Sequence, residues 1–86
     1  MDFEFSKHAE EQMLLRNIKQ NDVLNTLIYP DQIVKDDDNQ DVKIYQSLLK
    51  ENSQMFLLRV FVNIYKTPKS VITVYKTTKI SKYYES

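Results

Sequence analysis

The sequence predicts an α+β domain in which two N-terminal helices pack on one face of an antiparallel β-meander, with a short basic tail or helix closing the chain. Three observations lead there. Apolar residues recur at helical spacing between Lys7 and Ile28. After Pro30 the pattern changes to period two and holds through Thr77. The chain has 86 residues with no glycine and no cysteine, so residues 1–86 are read as a single domain. A chain this short buries only about 60–65% of its unfolded surface, which leaves a modest core and no disulfide to reinforce it.

Phe3 and Phe5 alternate with acids and read as a short leading strand or an apolar anchor. Ser6 is a fair N-cap for a helix from Lys7 to Arg16, with Ala9, Met13 and Leu14 on its buried side and His8, Gln12 and Leu15 on the adjacent strip. Asn21 or Asp22 caps a second helix through Ile28, burying Val23, Leu24, Leu27 and Ile28. Tyr29-Pro30 ends it, because a residue before proline is disfavoured in the α region. Gln32 to Asp36 is a short strand, and the acidic run to Asp41 is a solvated loop. Val42 to Leu49 alternates Val42, Ile44 and Leu48 against Lys43, Tyr45 and Ser47, and Asn52-Ser53 supplies the next turn. Met55 to Tyr65 is long and apolar on both sides, as expected of a central strand covered by helices. Lys66 to Lys69 turns the chain into a last strand, Ser70 to Thr77, and Thr78 to Ser86 reads as a short basic helix.

A net charge of zero conceals a division. Residues 1–41 carry ten acidic and four basic side chains, a balance of −6, whereas residues 42–86 carry eight basic and two acidic ones, a balance of +6. A basic half with Tyr65, Tyr75, Tyr83 and Tyr84 among its lysines has what a polyanion-binding face requires, cations for phosphates and rings for bases. The same composition also fits a lysine-rich solvated surface.

The absence of glycine removes several functions together. Phosphate-cradling loops, dinucleotide fingerprints and calcium loops need glycine for positive φ or close backbone approach. The run Asp36-Asp37-Asp38-Asn39-Gln40-Asp41 lacks the glycine of an EF-hand and has Ser47 where the closing glutamate would fall. With one histidine and no cysteine, neither a structural zinc site nor any cofactor is expected. No apolar run approaches the roughly 20 residues of a spanning helix, and the start Met1-Asp2-Phe3-Glu4 is acidic where a signal peptide is basic. A soluble, unprocessed cytoplasmic protein is the expectation.

His8 is the one side chain whose ordinary pKa lies near neutrality, and it falls in the first turn of a helix. It suits proton transfer in a ribonuclease, and equally a structural place on a half-buried helix. Arg16 and Arg59 are the only arginines beside ten lysines, and arginine grips a phosphate or carboxylate through two parallel hydrogen bonds. In Leu57-Leu58-Arg59-Val60-Phe61 a charge interrupts an apolar strand, so Arg59 points at a groove, a partner or an internal carboxylate. Arg16 sits at a helix C-terminus, where a cation is favoured in any case. Alternation sets Thr73, Tyr75 and Thr77 on one face of the last strand and Ile72 and Val74 on the other. Lys76, Lys79, Lys82 and Tyr83 follow closely enough to close round the same substrate.

Ser6-Lys7-His8-Ala9, Met13 and Arg16 before Asn17-Ile18, Asp22-Val23, Tyr29-Pro30-Asp31-Gln32-Ile33 and Val71-Ile72-Thr73-Val74-Tyr75 occur in this order. This pattern resembles a family of small bacterial domains of unknown function grouped with the BrnT-like and RelE-like ribonuclease toxins. Where that family commonly has a glycine after helix one, this chain has Asn17, which tolerates the same left-handed conformation. The resemblance implies a metal-independent endoribonuclease, the toxin of a toxin–antitoxin pair. By matching positions it marks His8, Arg16 and Thr73, and more loosely Tyr75 and Lys79; by analogy with RelE-type toxins it adds Lys82 and Tyr83.

The expected function is therefore RNA cleavage by 2′-hydroxyl attack. His8, Arg59, Thr73, Tyr75 and Tyr83 form the catalytic set, and Arg16, Lys76, Lys79 and Lys82 bind RNA. A cognate antitoxin with an acidic segment is the expected protein partner, and no membrane is involved. The alternative is a non-catalytic RNA- or protein-binding module that uses the same basic face.

Overall fold

The computed structural model describes residues 3–86. Its elements are β1 (Phe3–Phe5), α1 (Lys7–Leu15), α2 (Gln20–Ile28), β2 (Gln32–Lys35), β3 (Val42–Glu51), β4 (Gln54–Asn63), β5 (Lys69–Thr77) and a single turn, α3 (Ile80–Tyr83). The five strands form one sheet in the order β1-β5-β4-β3-β2. The meander β2 to β5 is antiparallel as the alternation requires, while β1 joins the β5 edge in parallel and makes the sheet mixed. Phe3 and Phe5 are thus a strand, and both rest on the core, Phe3 with its ring edge-on to Tyr45 at 6.0 Å between centroids.

Helix α1 begins where Ser6 accepts the Ala9 N–H at 3.0 Å and ends in a Schellman turn. There Ile18 N–H bonds Met13 O at 2.8 Å and Asn17 N–H bonds Leu14 O at 3.3 Å, with Asn17 at φ 54°. Ile18 and Met13 meet in the core as that motif favours, and the chain enters α2 at once. Lys19 is therefore the N-cap, without a side-chain bond, and Asp22 lies in the first turn, where its charge suits the helix dipole, rather than at the cap position expected for Asn21 or Asp22. The helices cover less of their surface than expected. Leu14 and Ile28 are exposed, whereas Ala9, Met13, Val23 and Leu27 pack on Tyr45, Leu58, Val60, Val62, Val71 and Val74.

The β3–β4 hairpin closes through Asn52 and Ser53, at φ 50° and 69°, the double left-handed pair of a two-residue loop. β4 stops at Asn63 rather than Tyr65 because the Asn63 carboxamide takes the Tyr65 N–H at 3.0 Å and turns the chain. In the acidic loop Asp36 and Asn39 likewise accept the backbone N–H groups of Asp38 and Asp41. Pairing of β4 with β5 slips between Phe61 and Val62, leaving Ile72 without a partner. This bulge lets Val71 and Val74 both face the helices while Thr73 and Tyr75 face away, which strict alternation would not allow.

Candidate functional site

Register aligns four side chains across the sheet face that the helices leave free. Gln32 on β2 pairs with Gln46 on β3, Gln46 with Arg59 on β4, and Arg59 with Tyr75 on β5, so the four stand in one cross-strand row. Arg59 is 7% exposed and Gln46 fully buried. The Arg59 Nε–H donates to Gln46 Oε1 at 2.9 Å, and Arg59 Nη1 donates to Tyr75 Oη at 2.7 Å. Gln46 Nε2 donates in turn to Gln32 Oε1 at 2.7 Å.

The C-terminal residues cross above this row. After β5 the chain turns back, and Tyr83 O accepts from Gln46 Nε2 at 3.1 Å. Gln32 clasps the Glu85 peptide from both sides, donating from Nε2 to Glu85 O and accepting the Glu85 N–H on Oε1 at 3.1 Å. The Tyr83 ring lies over the guanidinium, its centroid 4.2 Å from Arg59 Cζ. Phe61 and Tyr75 flank the same cation at 5.5 and 5.8 Å, their rings tilted and 5.9 Å apart.

Burying a guanidinium is costly unless its charge is matched or its donors are satisfied. Among the described residues no carboxylate pairs with Arg59; the ion pair present is Lys76 with Glu51, 2.7 Å apart. An amide, a phenol and an aromatic face surround it instead, leaving the positive charge unneutralised. Among those residues no buried side-chain nitrogen or oxygen lacks a partner, so Arg59 Nη2, which makes no hydrogen bond to protein, is not sealed from solvent. The row can receive an anion. Tyr83 ionises below the ordinary phenol range, chiefly because the Lys82 ammonium lies beside it, with the Tyr75 hydroxyl and the Arg59 charge acting the same way against desolvation.

Of the residues singled out from the sequence, Arg59, Tyr75 and Tyr83 converge here. Thr73 stands opposite Phe61 on the same face, next to the row. Lys82 is exposed with Nζ 5.2 Å from the Tyr83 ring centroid, and Lys79 is exposed at the start of the crossing segment. Lys76 pairs opposite Leu58 and so belongs to the other face, where it meets Glu51 and the Phe56 ring. Arg16 is exposed at the end of α1. His8 is exposed in the first turn of α1 and has no hydrogen bond to the row. One helical turn on, Gln12 Oε1 accepts the Val74 N–H at 3.3 Å, so the strip of α1 that carries His8 borders the edge of β5.

Gln32, Gln46 and Phe61 complete the cluster, and the sequence pattern alone does not single them out. Gln46 nonetheless carries a signal of the kind noted at Arg59, since it interrupts the apolar row Val42, Ile44, Leu48 on its own strand.

A mixed five-stranded sheet with helices on one face and an arginine-centred polar row on the other defines a small α+β domain whose distinctive chemistry is a buried, unneutralised cation. Residues 5–76 match the model of the family DUF4258, described as a domain of unknown function, and the chain belongs to that family. No match was found among curated proteins or among solved structures. The match includes Arg59 and Tyr75 and ends before Tyr83.

Proposed function

We propose that this domain is a metal-independent endoribonuclease, related to the BrnT-like and RelE-like toxins, that serves as the toxin of a cytoplasmic toxin–antitoxin pair. The observation that carries the proposal is Arg59, a residue only 7% exposed, whose guanidinium is held by Gln46 and Tyr75 with no carboxylate partner among the described residues. Cleavage through the 2′-hydroxyl requires a base for its proton, a cation for the charge that gathers on phosphorus, and an acid for the departing 5′-oxygen. Arg59 supplies the cation. Tyr83, whose phenol is already shifted toward ionisation, is one proton carrier, and His8, exposed on α1, is assigned as the other. Lys79 and Lys82 attract the RNA backbone, and Phe61 and Tyr75 offer rings beside the phosphate. An antitoxin with an acidic segment would cover Arg59 and these lysines.

The exposed position of His8, without a bond to the row, favours a second possibility, an RNA-binding module that does not cut. The two separate on one experiment. Single-stranded RNA is incubated with the purified protein in the presence and absence of ribosomes, and its ends are analysed. Fragments with 2′,3′-cyclic phosphate, reduced by roughly 100- to 10,000-fold in a folded His8→Ala variant, are expected. RNA bound but intact in both conditions selects the binding module, and RNA neither bound nor cut overturns both.

A further inference from the structure

We infer that Gln32 and Gln46 are positioning residues for a movable cover, residues 79–86, which opens to expose Arg59 and closes to place Tyr83 against an anion held there. The inference rests on Arg59 being the anion site proposed above, and it adds how that site is reached. The cover lies directly over the row, so an anion meets Tyr83 before it meets the guanidinium.

Two features make the segment movable rather than part of the packed fold. It buries none of its side chains: α3 is one turn long, and its residues are exposed or half-buried. It is held by polar contacts, the Gln46 bond to Tyr83 O and the clasp of Gln32 on the Glu85 peptide, and both bonds of that clasp are open to water. Segments with few apolar contacts and solvent-exposed hydrogen bonds open far more readily than core strands. When it opens, the freed peptide groups and the Arg59 guanidinium all gain water in exchange for the bonds they lose. Beneath the cover, Gln46 is anchored in the sheet and bonds both Arg59 and Tyr83, so one buried amide sets the cation and the lid against each other. The cover also begins beyond the residues that match the family, which end at residue 76.

The test is exchange of the Arg59 Nε–H with solvent, followed by NMR on the full chain, with the amides of Val60 and Val74 reporting on the fold. Gln32→Ala breaks the clasp from the sheet side. Glu85→Pro breaks it from the other side by removing the N–H that Gln32 accepts, at a position whose preceding residue, Tyr84, already has the extended backbone that proline requires. Each variant should speed Arg59 exchange by tenfold or more and leave Val60 and Val74 unchanged. Arg59 exchange that stays as slow as that of Val60 in wild type and in Glu85→Pro would show the segment to be fixed, and would overturn the inference. Adding a single-stranded 2′-O-methyl RNA, which cannot be cut by 2′-hydroxyl attack, tests the underlying function separately. Protection of Arg59 supports both proposals. Acceleration in the variants without any effect of RNA leaves the cover standing and removes RNA as its ligand.

Discussion

Gln46 and Arg59 face each other across β3 and β4, and the Gln46 Oε1 takes the Arg59 Nε–H at 2.9 Å. A buried amide thus fills the place where a carboxylate commonly stands beside a buried arginine. It satisfies the donor without cancelling the charge. The Arg59 charge is left available for the anion that the proposed function places there.

Placing a carboxylate at position 46 should remove that availability. Gln46→Glu is expected to keep the fold and to lower RNA affinity about tenfold or more, since a charge-assisted bond to Arg59 is worth roughly 1.5–3 kcal/mol. Binding titrations beside a urea-unfolding curve measure the two effects. Unchanged RNA affinity in a folded Gln46→Glu protein would mean that RNA does not meet Arg59.

Arg59→Lys keeps the charge and loses the geometry. An ammonium cannot reach Gln46 Oε1 and Tyr75 Oη as the guanidinium fork does, so about 2 kcal/mol of stability should be lost in urea unfolding. A lysine variant as stable as wild type would show that these two bonds contribute little.

The Tyr83 phenol should titrate below the ordinary tyrosine value of about 10, as read from phenolate absorbance with Tyr83→Phe as the blank. Lys82→Gln removes the largest cause and should raise the value. Because the folded value is depressed, its contribution to stability is fully present only above the unfolded value and is lost as pH falls through the folded one. Below its folded value the phenol keeps its proton, and this contribution to stability is absent.

Lys79 and Lys82 lie on the crossing segment, whereas Lys76 is engaged with Glu51 on the other face. Replacing Lys79 and Lys82 by glutamine should flatten the salt dependence of RNA binding by about 0.7 in log–log slope for each phosphate that is no longer neutralised. Lys76→Gln should leave the slope unchanged. Equal effects from all three would place the RNA round the end of the sheet.

Asn17 holds φ 54° in the turn between α1 and α2. Asn17→Gly should be neutral or stabilising, and Asn17→Val should destabilise by about 1–2 kcal/mol, because a branched side chain crowds the left-handed region. Thermal unfolding of the two variants decides it.

Much of this arrangement is legible in residue order. The two helices and the meander follow from apolar spacing, the left-handed Asn17 from its place after a helix, and the unusual setting of Arg59 from a charge in an apolar strand. The remainder depends on tertiary packing that no local pattern encodes. A single unpaired residue, Ile72, resets the faces of β5, and nothing in Val71-Ile72-Thr73 announces it. The clasp joins residues 32 and 85, 53 positions apart, and depends on where the last residues fold back. Gln46 is a fainter signal than Arg59, because a neutral amide in an apolar row costs less to bury than a charge and so demands a partner less insistently.

The most direct measurement is induced expression of wild type and Arg59→Lys in a bacterium at matched protein levels, with growth followed and RNA ends bearing 2′,3′-cyclic phosphate mapped. Wild type should arrest growth and generate new cyclic-phosphate ends, and Arg59→Lys should do neither while remaining folded. Undisturbed growth and unchanged RNA ends with wild type, or full toxicity from Arg59→Lys, would contradict an RNA-cleaving role for the row that Arg59 centres.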